Sequence, residues 1–140
     1  MQELTRLAAD DPRILFTGFV QGHMLAELYS NAYVYCLPSD LEGMPLSLLE
    51  AMSYGNCCLA SDIAECAEVL EDKGVLFQRG SVESLKQKLE ELFQHPEQVG
   101  RYREEATKYI CDKYNWDDVV SKTLLLYYEK FDVRKAKINR

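Results

Sequence analysis

Two carboxylates, Glu42 and Glu50, stand with seven residues between them in the stretch Glu42-Gly43-Met44-Pro45-Leu46-Ser47-Leu48-Leu49-Glu50. Gly43 lets the backbone approach a ligand closely. Pro45 suits the first position of a helix, which leaves the N–H groups around Met44, Leu46 and Ser47 to face an anion. A carboxylate accepts several hydroxyl hydrogen bonds, which is how proteins hold vicinal diols. Anion-facing amides between two diol-binding carboxylates make a sugar-phosphate site, on the donor side of a transfer.

Such a site needs a scaffold that places a helix start at a sheet edge, and the chain alternates in the required way. Residues 3–9 read as the end of a helix stopped by Asp10-Asp11-Pro12, and 13–20 (RILFTGFV) as a strand running into a Gly18 loop. Residues 24–32 carry Leu25, Leu28 and Tyr29 on one helical face. A short apolar strand at 33–37 (YVYCL) closes at Pro38-Ser39, a helix spans 45–54, and Gly55 is placed as its C-terminal cap. Strands follow at 57–60 (CCLA) and 74–77 (GVLF), with a short helix at 65–70 between them. Ser81 caps an amphipathic helix through about 94, which His95-Pro96 ends. The remainder is helical, with Val120, Thr123, Leu124, Tyr127 and Phe131 on one stripe. Strands that are apolar on both faces and alternate with helices predict a parallel sheet covered on both sides. Ligands of such sheets bind beyond the carboxyl ends of the strands, and the Glu42–Glu50 stretch follows directly after strand 33–37.

Composition narrows the function classes. The chain has 140 residues, 47% hydrophobic and 11% aromatic, which supplies one packed domain and argues against disorder. Its net charge of −7 lacks the basic footprint of a nucleic-acid surface, and any phosphate must be held locally. The five cysteines, Cys36, Cys57, Cys58, Cys66 and Cys111, form no C-x-x-C pair. Three of them lie in apolar runs, as core thiols in a reducing compartment do, and no metal site is read. With neither a leader-like apolar core at the N-terminus nor a run of membrane-spanning length, the chain reads as cytoplasmic.

The run PSDLEGMPLSLLEAMSYGNCCLASD resembles the donor-site signature of the GT-B retaining glycosyltransferases of family GT4. The flanks match in order: Phe16-Thr17-Gly18-Phe19-Val20 is similar to the family's nucleobase-side loop, Ala67-Glu68-Val69 to the acidic segment after Ser61-Asp62, and Gly74-Val75-Leu76-Phe77 to the next strand. Asn115-Trp116 opens what resembles the family's last helix, so the resemblance covers roughly residues 13–131. It implies that Glu42 contacts hydroxyls of the transferring sugar as the catalytic residue. The amides of Gly43, Met44, Pro45's neighbour Leu46 and the hydroxyl of Ser47 are then implied to meet the distal phosphate and sugar. Glu50 is implied to bind the ribose hydroxyls, with Gly18, Phe19 and Val20 packing against the base. The implied chemistry is transfer from a nucleotide sugar with retention of configuration, no cofactor and no required metal. Charge on the leaving diphosphate is stabilised there by helix N-termini and basic side chains.

The departures from the family are as specific. Nothing in the chain matches the two strand–helix units that open the family's donor domain, with their Gly-rich turn and Arg/Lys diphosphate clamp, nor its acceptor domain. The expected fold is therefore α/β: a partial Rossmann-like parallel sheet and donor-site region at 13–80, and C-terminal helices at 81–140. In the family's strand order of 3-2-1-4-5-6 the segment 13–20 is strand three without its neighbours. It must stay unpaired, move beside strand 33–37, or pair with a second copy, since an open edge invites pairing. Two other readings stay open: a binding domain of the same fold without chemistry, and a portion of a GT-B sugar-nucleotide 2-epimerase. Read singly, Gly55 is a cap, His23 and His95 are surface or capping residues, and Tyr102, Tyr109, Tyr114, Tyr127 and Tyr128 are helix packing. The basic tail Arg134-Lys135-Lys137-Arg140 is a solvated terminus, with contact to an anionic membrane as its other use.

Overall fold

The computed structural model describes residues 2–8 and 11–138, with side chains described up to residue 128 and not for Gln2. Phe131 and the basic tail of Arg134, Lys135, Lys137 and Arg140 therefore lie outside the described side chains. The elements run α1 (Gln2–Leu7), α2 (Gly22–Asn31), β1 (Val34–Leu37), α3 (Leu46–Ser53), β2 (Cys57–Ser61), α4 (Ala64–Leu70), β3 (Val75–Phe77), α5 (Val82–Gln94), α6 (Pro96–Lys113) and α7 (Trp116–Ile138). The three strands form one parallel sheet in the order β1-β2-β3, with Cys36 opposite Leu59 and Leu59 opposite Val75.

The middle strand is buried at all five positions, and its alternation divides the core. Cys58 and Ala60 face a cluster with Leu48, Ala51, Met52, Cys66 and Ile110, contributed by α3, α4 and α6. Cys57 and Leu59 face the other way, onto Phe77, Leu92 and Val99 from β3, α5 and α6. Side chains that alternate in this way can satisfy two layers only if helices cover both faces, and here they do.

Local chemistry sets the helix limits. The Ser81 hydroxyl oxygen accepts the Ser84 N–H at 3.1 Å, and the Asn115 Oδ1 accepts the Asp118 N–H at 2.8 Å, so each caps the helix that follows. Pro96 opens α6, where its missing N–H costs nothing. Gly55 takes φ +74 after α3, the left-handed cap conformation that glycine adopts without penalty. Gly74 matters for space instead. A Cβ there would stand 2.6 Å from Leu70 Cδ2 and 2.9 Å from the Cys58 carbonyl oxygen, so only hydrogen lets the chain at residue 74 pass this close to α4 and β2.

One element departs from expectation. Residues 13–20 form no strand. Ile14, Leu15, Phe16 and Phe19 are exposed, Leu15 to 80% and Phe19 to 88%. Their composition suits a buried strand, but a strand also needs a neighbour, and among the described residues the outer edge of β1 pairs with none. Within this chain the segment is unpaired, so it does not move beside β1. Tyr127 and Tyr128 also depart: at 62% and 65% exposure they do not pack, unlike the half-buried Tyr102, Tyr109 and Tyr114. With them Trp116, Val120 and Leu124 leave the described part of α7 an exposed apolar helix.

All five cysteines are free: Cys57, Cys58 and Cys66 are buried, Cys36 is half-buried and Cys111 is exposed. Among the described residues no helix is long and apolar enough to cross a membrane.

Candidate functional site

The loop from β1 to α3 is anchored from the sheet outward. The Ser61 hydroxyl, at the buried end of β2, donates to the carbonyl oxygens of Ser39 and Leu37. Ser39 in turn donates its own hydroxyl to Glu42 Oε1 at 2.6 Å. A relay of two serines thus fixes the position of the Glu42 carboxylate relative to the carboxyl ends of β1 and β2. Glu42 is half-buried, and its charge is felt in the core. Burial pushes the Cys66 thiol up to about 11, and the carboxylates of Glu42 and Glu65 add to that shift.

Pro45 is fully buried and precedes α3 instead of opening it. Its φ of −76 and ψ of 73 are those of an inverse γ-turn, and the Leu46 N–H closes onto the Met44 carbonyl at 2.8 Å. This corrects one expectation about the amides: that of Leu46 is taken up internally. The N–H groups of Gly43, Met44 and Ser47 find no acceptor among the described residues. Gly43, Met44 and Leu46 are exposed, with Met44 at 51% and Leu46 at 64%. The open amides and the Glu42 carboxylate therefore lie along the β1–α3 loop and the first turn of α3.

Glu50 lies on α3, exposed, and its Oε2 accepts the Tyr29 hydroxyl at 3.3 Å. That hydroxyl is also 3.4 Å from the Ser47 carbonyl oxygen. Burial first, and then the charges of Tyr35 and Glu50, raise the Tyr29 phenol far above its ordinary value, so it remains a donor. Gly18, Phe19 and Val20 are not joined to this arrangement by any hydrogen bond among the described residues. Gly18 turns the chain at φ +65, and Phe19 projects into solvent.

A cleft of about 430 Å³ opens beyond the ends of the three strands, lined by Asp40, Leu41, Asp62, Ile63, Ala64, Glu65 and Arg79. The Arg79 N–H donates to Asp62 Oδ1 at 2.7 Å, and its guanidinium Nη1 reaches the Asp40 carbonyl oxygen at 3.4 Å. A smaller groove of about 70 Å³ lies between Gly43, Met44, Pro45 and the residues Glu65, Glu68, Val69 and Tyr114. Asp40, Asp62 and Arg79 do not stand out from residue spacing. The signal that reaches them is positional, because each closely follows the carboxyl end of a strand, where open α/β sheets hold ligands.

The family model for glycosyl transferases group 1 matches residues 1–95. The chain is 31% identical over 126 residues to the sulfoquinovosyl transferase SQD2 of Arabidopsis thaliana, covering 86% of this chain and 24% of that protein. It is 30% identical over 115 residues to an MMP alpha-(1→4)-mannosyltransferase of Mycolicibacterium hassiacum, covering 80% of this chain and 28% of that protein. It thus spans about a quarter of the length of these relatives. In structure it resembles the sucrose-phosphate synthase of Thermosynechococcus elongatus at 22% identity and a TM-score of 0.83, over 94% of this chain and 34% of the other. TarM superposes with a TM-score of 0.77 at 21% identity, over 90% and 26% of the two chains.

Proposed function

The chain belongs to the glycosyl transferases group 1 family, with the C-terminal part of a GT-B fold, and from that premise we propose that it is the donor-binding portion of a GT4-type retaining glycosyltransferase. It takes a nucleoside-diphosphate sugar, and the complete enzyme passes the sugar to a glycan, lipid or small-molecule acceptor held by a domain outside these residues. The observation that carries this reading is the run of open amides at Gly43, Met44 and Ser47, across the start of α3, bracketed by an anchored Glu42 and a Tyr29-bonded Glu50.

The groups then divide the work. Glu42 accepts hydroxyls of the transferring sugar, held in place by Ser39. The amides meet the distal phosphate, where fixed N–H dipoles stabilise charge as it develops on the leaving diphosphate. Glu50 receives the ribose diol, and the 18–20 loop covers the base. Retention of configuration without a required metal belongs to the same proposal, as does a cytoplasmic location for the transfer.

Titration of the complete protein with UDP, GDP and ADP and their sugar conjugates tests the reading. One nucleotide should bind, and Glu50→Gln should weaken it by about tenfold or more, since a hydrogen bond to a charged group contributes about 1.5–3 kcal/mol. In turnover, Glu50→Gln should mainly raise the donor KM, because the ribose is held alike in ground and transition states. Glu42→Gln should lower kcat more than it raises KM. Failure of every nucleotide to bind would overturn the assignment and favour a fold retained without chemistry.

A further inference from the structure

Tyr29 is absent from the donor-site residues assigned above, yet it is the group through which the core reaches Glu50. Its ring is only 8% exposed, in the last turn of α2. It stacks on Tyr54 at 5.4 Å between centroids and tilts against Tyr35 at 5.7 Å. Arg103 Nη1 donates to the Ala32 carbonyl at 2.8 Å and ties the end of α2 to α6. A buried ring packed against two aromatic neighbours in this way cannot swing without disturbing the core, so its hydroxyl is a fixed point. Glu50, by contrast, is exposed, and the Tyr29 hydroxyl is the one side-chain donor to its carboxylate among the described residues.

An exposed glutamate samples several rotamers, and binding through it must first order the side chain at an entropic cost. From the fixed hydroxyl and the mobile carboxylate it meets we infer that Tyr29 is a positioning residue, pinning Glu50 by Oε2 so that Oε1 is presented to the ribose diol of the nucleotide. The inference rests on the ribose role proposed for Glu50. The hydroxyl acts by geometry and never touches the ligand. The Ser47 carbonyl, at 3.4 Å, is a second acceptor for the same proton, and the Glu50 carboxylate, charged and at 3.3 Å, is the stronger of the two.

Tyr29→Phe removes the hydroxyl alone and leaves the aromatic stack, so melting of the variant should stay near that of the parent. Affinities for UDP, GDP and ADP, each with its 2′-deoxy form, are measured in the complete protein for Tyr29→Phe, Glu50→Gln and the double variant. The expected result is an about fivefold loss for the ribonucleotide in Tyr29→Phe, a smaller loss for the deoxynucleotide, and no further loss when Glu50 is already Gln. Equal losses for both nucleotides, or an undiminished Tyr29→Phe effect in the Glu50→Gln background, would reduce Tyr29 to a structural residue and overturn the inference. If Glu50→Gln abolishes ribose discrimination while Tyr29→Phe keeps it, the inference fails and the ribose reading stands. If Glu50→Gln itself discriminates as the parent does, or no nucleotide binds, the ribose reading falls and takes the inference with it.

Discussion

β1 has two edges, and their surroundings differ sharply. Toward β2 it joins a strand buried at every position, with a helical layer on each face. Away from β2 it borders an apolar groove of about 660 Å³ shared with α2, while the equally apolar residues 14–16 and 19 stand in solvent. Composition is alike on the two sides. What differs is the presence of neighbours, so burial here is a property of the assembled sheet and not of the residue list.

The largest expected effect concerns activity. On the function proposed above, the 140-residue chain by itself should transfer no sugar, because the diphosphate clamp and acceptor domain that the family resemblance implies match nothing in these residues. Positioning can account for roughly 7–11 kcal/mol of a barrier. Product formed by the isolated chain above a Glu42→Ala control would break the comparison, by showing that the closed side alone suffices.

Stability should sharpen it next. Leu59→Ala on the closed side removes a side chain that is fully buried and should cost about 2–5 kcal/mol in chemical unfolding. Leu15→Ala on the open side should change stability by less than about 0.5 kcal/mol. Comparable losses at both positions would mean that the open segment packs in solution.

A smaller effect tests how the closed side is stitched together. Lys113 donates to the Glu68 carbonyl, Glu71 Oε1 and the Tyr109 hydroxyl, joining α6 to the end of α4. The hydrogen bond from Lys113, aided by its charge, holds the Glu71 carboxyl below its ordinary 4.5. Burial pulls Lys113 down, but Glu71 and Tyr109 outweigh it and keep it above its ordinary 10.5. A depressed carboxylate contributes above its unfolded value and loses that contribution as pH falls through its folded one. A raised lysine contributes below its unfolded value and loses it as pH rises through its folded one. Lys113→Met should therefore lower Tm by about 3 °C between pH 4.5 and 10.5, with the gap narrowing as pH falls below that range through the depressed Glu71 value or rises above it through the raised Lys113 value. A Tm difference that does not vary with pH would assign the effect to packing of the lysine stem.

The smallest expected effect lies on the open edge. Replacing Phe19 with Lys should suppress whatever self-association the chain shows in sedimentation, since charged residues discourage edge pairing. Unchanged association would move the contact to the exposed apolar face of α7.

Most of the closed side is legible from residue type. The runs at 57–60 and 74–77 lie within or one residue beyond β2 and β3, and Ser81, Gly55 and Pro96 mark real helix limits. Local preference and long-range burial agree at these positions. The segment 13–20 misleads because its apolar pattern specifies a strand only when a neighbouring strand is there to receive it. In the candidate site, Glu42 and Glu50 are legible through their spacing across a helix start. The γ-turn that occupies the Leu46 amide is not, because proline favours both that turn and a helix opening. Tyr29 is legible only as part of a helical face, since folding alone brings residue 29 against residue 50. Ser61 and Ser39 escape for the same reason.

The distribution of thiols gives the chain a chemical use of its own. Cys111 stands in solvent on α6, whereas Cys57, Cys58 and Cys66 are sealed in the core. Burial raises Cys57 to about 11 against an opposing pull from Arg103, and Cys66 to about 11 as well, so these groups are protected both sterically and by protonation. A maleimide dye offered to the folded protein should attach first at Cys111, without mutagenesis, and the half-buried Cys36 should follow. The three sealed thiols then become a stopwatch for opening of the sheet, because each can be alkylated only after the strands and helices around β2 have come apart.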